Sequence, residues 1–282
     1  MPPFANILFS GPAAHPCNAR CPFCIGQQID PQRTPANLDT YPLAGIDAFV
    51  ERVRAANITQ VVFTGANTDP LRYRPLARLL TDLRGELPAA CFSLHTNGRL
   101  ARRSLALLNR FDKICLSLPS FRPATYQRMM GVPGVPDLPR LLAGLRVPLK
   151  LSCVVTDENA AEIPSYLETS AALGIRRVVL RKLVGEVRPW PAILPVDLGT
   201  PESVYCGCPV YRVRGIEVTL WDFAQTGAEA INLFSSGEIS PDYPIAQRIS
   251  LPPFTSTVAP VIKPATGQAT KTMQRAISSG VA

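Results

Sequence analysis

Residues 6–24 read Asn6-Ile7-Leu8-Phe9-Ser10-Gly11-Pro12-Ala13-Ala14-His15-Pro16-Cys17-Asn18-Ala19-Arg20-Cys21-Pro22-Phe23-Cys24. The apolar run Asn6–Ser10 has the length and composition of a buried strand. Three cysteines follow it directly, spaced C-x3-C-x2-C. Iron–sulfur cubes are normally held by four thiolates. A set of three leaves one iron open, and an open coordination position is where a metal site does chemistry rather than staple a fold. Zinc is the rival occupant, with Cys17, Cys21, Cys24 and His15 as ligands. Zinc knuckles and ribbons, however, usually bring a second cysteine pair or a histidine pair, and His15 and His95 are the only histidines.

Outward from this stretch, short Val/Ile/Leu/Phe-rich runs recur at Gln60–Thr64, Ala90–Leu94, Lys113–Leu118, Leu149–Thr156 and Arg177–Leu183, each bounded by turn residues. They read as buried parallel strands. Between them lie helical patterns. Ile46, Phe49, Val50 and Val53 recur at the helical period, as do Leu76, Leu79, Leu80 and Leu83, then Leu105, Leu107 and Leu108. Ile163, Tyr166, Leu167 and Ala171 follow Asp157 and Asn159, which read as caps. The order is β-α, repeated about six times over residues 5–185, which predicts a parallel sheet with helical crossovers. An open doubly wound sheet and a complete or partial barrel both fit. In either, function sits at the carboxyl ends of the strands, where the three cysteines fall.

The pattern changes after Leu183. Pro189, Pro191, Pro195 and Pro201 mark 184–208 as a connecting loop, and Val210–Val213 with Ile216–Trp221 read as a hairpin turned at Arg214-Gly215. The expected organisation is a core over 5–185, an extension with the hairpin over 186–250, and a tail over 251–282 that is either flexible or a strap over the barrel.

The chain has 282 residues, 46% of them apolar, enough for a sizeable core. No run of 18 apolar residues exists, so no membrane helix is expected. The amino terminus lacks the basic region of a signal peptide. The expectation is a reducing cytoplasm, with Cys91, Cys115 and Cys153 as buried free thiols. The net charge of +8 suits an acidic partner or an anionic substrate. The arginines are scattered rather than gathered into a stripe; the charge is compatible with nucleic acid too and selects none of these partners, though nucleic acid is not expected.

The cysteine run at the end of a first strand in a β-α array resembles the radical S-adenosylmethionine (radical SAM) superfamily, over residues 5–185. Phe23, the aromatic before the third cysteine, belongs to that signature. Thr64-Gly65-Ala66-Asn67-Thr68-Asp69-Pro70 is similar to the glycine-rich turn after the second strand, His95-Thr96-Asn97-Gly98 to the motif ending the third, and Ser117 to a serine on the fourth. The resemblance implies a partial (β/α)6 TIM-like barrel and a [4Fe-4S] cluster on Cys17, Cys21 and Cys24. It implies SAM held at the open iron, with Phe23 near the adenine, Gly65, Ala66, Asn67 and Thr68 offering backbone to the ammonium, Ser117 near the ribose and Arg181 near the carboxylate. A carboxylate contact to the ammonium would have to come from Asp69. The implied reaction is reductive cleavage of SAM to a 5′-deoxyadenosyl radical that takes hydrogen from a substrate. A flavodoxin or ferredoxin is the implied electron donor, and no acid–base residue is assigned.

Within the superfamily the likeness is to the group that cyclises GTP. There a lysine at the place of Lys150 contacts phosphates, and Thr96, Asn97 and Lys150 are carried over as substrate candidates. Three features depart from that group. Only Cys206 and Cys208 stand where a second cluster motif is expected, the chain ends Ser279-Gly280-Val281-Ala282 rather than in Gly-Gly, and arginines expected in the first strand and before the glycine turn are missing. The substrate, a small molecule or a peptide, therefore stays open. The alternatives are a nucleotide cyclase, a radical-installing enzyme on a peptide or protein, and a zinc-stabilised protein without catalysis. Cys206 and Cys208 are either loop residues or metal ligands completed by a partner.

Overall fold

The structure, a computed structural model, describes residues 4–226 and 230–241. The segments 242–250 and 251–282, with the expected tail, lie outside the described residues. Strands β1 (Phe4–Phe9), β2 (Gln60–Gly65), β3 (Cys91–Thr96), β4 (Lys113–Ser117), β5 (Leu149–Val154) and β6 (Arg177–Arg181) alternate with helices. These are α1 (Ile46–Ala55), α2 (Leu76–Glu86), α3 (Leu105–Leu108), then α4 (Pro123–Met130) and α5 (Leu138–Gly144) between β4 and β5, and α6 (Ile163–Ala172). After them come α7 (Trp190–Ile193), β7 (Ser203–Tyr205), β8 (Cys208–Val213), β9 (Ile216–Trp221), β10 (Ala230–Leu233) and β11 (Ile239–Ser240).

All the described strands form one sheet in the order β11-β10-β1-β2-β3-β4-β5-β6-β9-β8-β7. From β10 to β9 every pairing is parallel, while β11, β8 and β7 pair antiparallel with their neighbours. The order β1 to β6 never reverses, so successive crossovers carry their helices over one face. That is the winding of a barrel rather than of a doubly wound sheet. The sheet is not closed, and β11 and β7 are its edges. The result is a partial TIM-like array.

Side-chain alternation decides what each face does. One face carries Ile7, Phe9, Phe63, Phe92, Leu94, Leu116, Leu151 and Val178, all in one core with the inner faces of α1, α2, α4, α5 and α6. Phe63 sits at its centre, 5.3 Å from Phe111 and 6.1 Å from Phe9 between ring centroids. The other face carries Asn6, Ser93, His95, Lys150, Arg181 and Thr219, which line a cavity. The strand runs are therefore not apolar on both sides, as their composition suggested. Most alternate positions are polar and face the cavity, with Val62, Val154 and Val179 as apolar members of the same face.

Several local expectations change. Cys153 is a core thiol, but Cys115 faces the cavity although buried, and Cys91 is half-buried. Asn159 caps no helix. Its amide donates to the carbonyls of Pro119 (2.8 Å) and Val154 (2.9 Å) and accepts from Thr156 N (2.8 Å), tying the end of β5 to the loop after β4. Asp157 pairs with Arg188 at 3.0 Å. The expected loop 184–208 contains α7 and β7, whereas the hairpin forms as expected and places β9 beside β6.

Candidate active site

The polar face of the sheet and the loops at its rim enclose a cavity of about 1670 Å³. Ligand pockets for one small molecule are typically about 300–1,000 Å³, so this one has room for two. The loops after β1, β2 and β3 meet at its rim, because parallel strands deliver their carboxyl ends to one side.

The loop after β1 carries Cys17, Cys21 and Cys24, all half-buried, free and facing the cavity. It is held from three sides. Arg20 N donates to Met130 O at 2.8 Å. Arg72 Nη1 donates to His15 O at 3.0 Å, to Pro16 O, and to Thr68 Oγ1 at 3.2 Å. Gly11 N donates to Asn67 Oδ1 at 2.9 Å. The turn after β2 thereby supports the cysteine loop.

That turn requires glycine at 65, since a Cβ there would lie 1.6 Å from Thr68 O. Gly26, just past Cys24, is required for a different reason. Its Cβ would lie 2.3 Å from Ala66 O, so only glycine lets the two loops touch. The methyl of Ala66 packs away from the cavity among Leu8, Ile29 and Phe234, and its N–H donates to Phe9 O at 2.8 Å. Asn67 and Thr68 face the cavity, but the side chain of each is engaged within the loops.

Asp69 is not free to meet a ligand ammonium. Its Oδ1 accepts from Leu71 N at 2.9 Å, and its Oδ2 accepts from Thr96 Oγ1 at 2.8 Å and Asn97 N at 2.7 Å. The carboxylate braces the end of β2 against the end of β3. Burial pushes its pKa up, against those three bonds and Arg72. Thr96 is spent on the same brace, its hydroxyl also accepting from Gly98 N at 3.1 Å. Asn97 turns toward the cysteines. Its Oδ1 accepts from Arg99 N at 3.1 Å, while Nδ2 donates to Asn18 Oδ1 at 2.7 Å and to Cys17 Sγ at 3.6 Å. The sequence reading placed Thr96 and Asn97 toward substrate; both line the cavity, and their described side-chain hydrogen bonds run to the Asp69 brace and the cysteine loop.

No family model matches the chain. It is 29% identical over 181 residues to a probable GTP 3′,8-cyclase of Saccharolobus islandicus, covering 60% of this chain and 54% of that one. It is 29% identical over 170 residues to the PqqA peptide cyclase of Gluconobacter oxydans, covering 58% and 46%. The chain thus spans about half the length of the curated relatives it matches. In fold it is similar to Streptococcus suis SuiB bound to its precursor peptide SuiA, with TM-score 0.51 and 17% identity, over 65% of this chain and 40% of that one. The chain is related to these cyclases over about 60% of its own length.

The donor set suits the cofactors of radical SAM proteins. Burial raises the pKa of Cys17, with Asp69 and Cys24 adding to it. Burial, then Cys24 and Cys17, pushes Cys21 up to about 12, and burial raises Cys24. The thiols are close enough to repel one another as thiolates, so a positively charged body is what would hold them ionised together. Among the described residues no three His, Cys, Asp or Glu side chains converge on a point for a single metal ion. A cube spreads its iron corners, so its thiolates face one volume without converging.

Phe23 and Ser117 face the cavity. So does Arg181, on β6, its guanidinium 5.6 Å from the Trp221 ring centroid and 5.9 Å from that of Phe223. Its Nε is buried without a hydrogen-bond partner among the described residues. Lys150 stands on β5 beside its cross-strand partner Cys115. Cys115 raises its pKa, but burial together with Arg181, Arg177 and Lys113 outweighs that and lowers it. His95, absent from the sequence-based site, lies on the same face. Burial, then Lys150 and Arg181, hold its pKa well below the usual imidazole range. Its only sequence signal was its place two residues before Asn97. Cys206 lines the cavity and Cys208 does not, and no third ligand joins them among the described residues.

Proposed function

We propose that the protein is a single-cluster radical SAM enzyme whose substrate, a peptide or a small molecule with an anionic group, occupies the cavity beyond SAM. The observation that carries this reading is the placement of three free, half-buried cysteines at the carboxyl-terminal rim of a two-ligand cavity. When bound, the [4Fe-4S] cluster and SAM supply one-electron cleavage to a 5′-deoxyadenosyl radical and hydrogen abstraction. The chain's own residues position and enclose. Cys17, Cys21 and Cys24 hold the cluster. The Gly65–Thr68 turn and Phe23 border the SAM side. Ser117 and Arg181 offer a hydroxyl and a guanidinium. Lys150, half-buried on the cavity face and in no described ion pair, favours an anionic substrate group.

A peptide substrate is favoured by the cavity's size and by the PqqA peptide cyclase relative. A nucleotide is favoured by the GTP 3′,8-cyclase relative and the lysine. Beyond residue 185 the only cysteines are Cys206 and Cys208, and no third ligand joins them among the described residues. A structural zinc site on Cys17, Cys21, Cys24 and His15 is the rival occupant, and metal analysis separates the two. Eight free cysteines suit the reducing cytoplasm. We place the catalytic core at 5–185 and its extension at 186–250. The test is anaerobic reconstitution, iron and sulfide analysis, and measurement of 5′-deoxyadenosine formed from SAM under reduction. Protein that takes up zinc alone, or forms no 5′-deoxyadenosine, refutes the reading.

A further inference from the structure

On the outer side of the cysteine loop lies a cleft of about 380 Å³ lined by Asn18, Arg99, Leu100, Arg102 and Arg103. All three arginines are exposed. Arg99 donates to Pro133 O at 2.7 Å, which leaves its charge uncompensated. Arg102 and Arg103 make no hydrogen bond or ion pair among the described residues, and neither does the side chain of the exposed Arg20. Elsewhere the exposed arginines are mixed: Arg54 pairs with Glu86, Arg128 with Glu158, Arg177 with Glu217 and Arg214 with Glu168, whereas the side chains of Arg52, Arg140, Arg146 and Arg176 make no described bond but stand apart from one another in sequence. A merely solvated surface would show the same mixture here. This cleft instead gathers cations and holds no acid.

Its inner wall is the metal site. Asn18 lines the cleft, yet its Oδ1 lies 3.5 Å from Cys17 Sγ and accepts from Asn97 Nδ2 at 2.7 Å. One side chain separates the arginines from the first thiol. We propose that Arg99, Arg102 and Arg103 are the docking surface for a small acidic one-electron carrier protein, a flavodoxin or ferredoxin, which reduces the cluster through Asn18. The inference rests on the cluster reading above and adds where its electron enters. The step balances simply: the carrier loses one electron, the iron site gains it, and no bond forms or breaks. Cations around the entry point attract the acidic carrier and orient its cofactor toward Cys17.

The test uses the reconstituted full chain and the double variant Arg102→Glu/Arg103→Glu, both substitutions being at exposed positions outside the cavity. Bleaching of the cluster is followed with flavodoxin hydroquinone and, separately, with photoreduced deazaflavin, which needs no docking. The expected result is a drop of about tenfold or more in the second-order rate with flavodoxin at low salt. The parent's rate should fall steeply with added salt and the variant's little, with deazaflavin rates equal. Equal flavodoxin rates overturn the proposal. So does a variant that keeps its flavodoxin rate and loses retention of single-stranded RNA or of an acidic peptide, for the cleft then serves that ligand. Failure of the cluster reading shows earlier and differently, as a parent with no reducible iron.

Discussion

Replacing Asp69 with alanine should loosen two strand ends at once. The carboxylate accepts from two backbone donors, Leu71 N and Asn97 N, and from the Thr96 hydroxyl, at 2.7–2.9 Å. Alanine leaves both N–H groups buried and unmatched, at about 1–3 kcal/mol each. The Thr96 hydroxyl can rotate, adding about 1 kcal/mol at most. Against this, the cost of burying the carboxylate disappears, an offset of about 1–3 kcal/mol. The net loss is about 2–4 kcal/mol. For a compact unit of this size each kcal/mol lowers Tm by about 2–4 °C, so the fall should be about 4–16 °C. Asn97 also loses the bond that fixes its backbone, and with it the aim of Nδ2 at Cys17. Iron retained after anaerobic reconstitution should therefore fall as well. Thr96→Val, which removes one bond from the same brace, should cost about 1 kcal/mol. The measurements are thermal unfolding of cluster-free protein and iron stoichiometry. An Asp69→Ala variant that melts within about 2 °C of the parent, holds full iron and loses only SAM affinity would refute the brace and make Asp69 a cofactor contact.

Alanine at Cys17, Cys21 or Cys24 should each reduce iron content to background without lowering the Tm of the cluster-free chain, checked by metal analysis and fluorimetry. Gly65→Ala should destabilise by about 3 kcal/mol, because its Cβ meets Thr68 O at 1.6 Å and the turn must move; denaturant titration reads this. His95 is held neutral when folded, so the unfolded chain takes a proton first as pH falls below about 6.5 while the folded chain does not. Stability should thus decline on that acid side by up to about 1.4 kcal/mol per pH unit, and His95→Gln should flatten the decline in Tm measured between neutral and acid pH. Asn97→Leu should lower the iron retained and move the midpoint potential of the cluster that does assemble to a more negative value, since an N–H directed at a ligating sulfur stabilises the reduced state; metal analysis and spectroelectrochemistry measure these.

The strands and the cysteine site were legible because each rests on a local pattern. Apolar runs marked β1 to β6 within a few residues, and the C-x3-C-x2-C spacing marked, with no tertiary information, the three cysteines that the fold brings to the cavity rim. The two faces of the sheet were not legible. Ser93, His95, Lys150 and Arg181 sit in runs read as apolar throughout, because polar residues facing a cavity interrupt a strand as weakly as those facing solvent would. Helices α4 and α5 were missed since Pro123, Pro139 and Gly144 dilute their period, although Tyr126, Met130, Leu138 and Leu141 bury their inner faces. Asp69 and Asn97 were read as ligand contacts because both stand in motifs at strand ends. Only the fold shows that three donors already converge on the one and that the amide of the other turns to Cys17.

The brace also explains why the cofactor side of the cavity is built as it is. The loops after β1, β2 and β3 belong to adjacent strands with fixed register, Phe9 opposite Gly65 and Phe63 opposite Leu94. Their ends must lie side by side, so short polar side chains suffice to couple them: Asn67 to Gly11, Arg72 to His15, Asp69 to Asn97, Asn97 to Asn18. Lys150 and Arg181 come instead from β5 and β6, on the far stretch of the same sheet, and no described hydrogen bond links them to the cysteine loop. The half that carries the three cysteines is thus cross-linked, while the half with Lys150 and Arg181 has no described bond to it. Residues on the second half can therefore change without disturbing the first, so under the proposed function substrate choice can vary while the cysteine rim stays fixed.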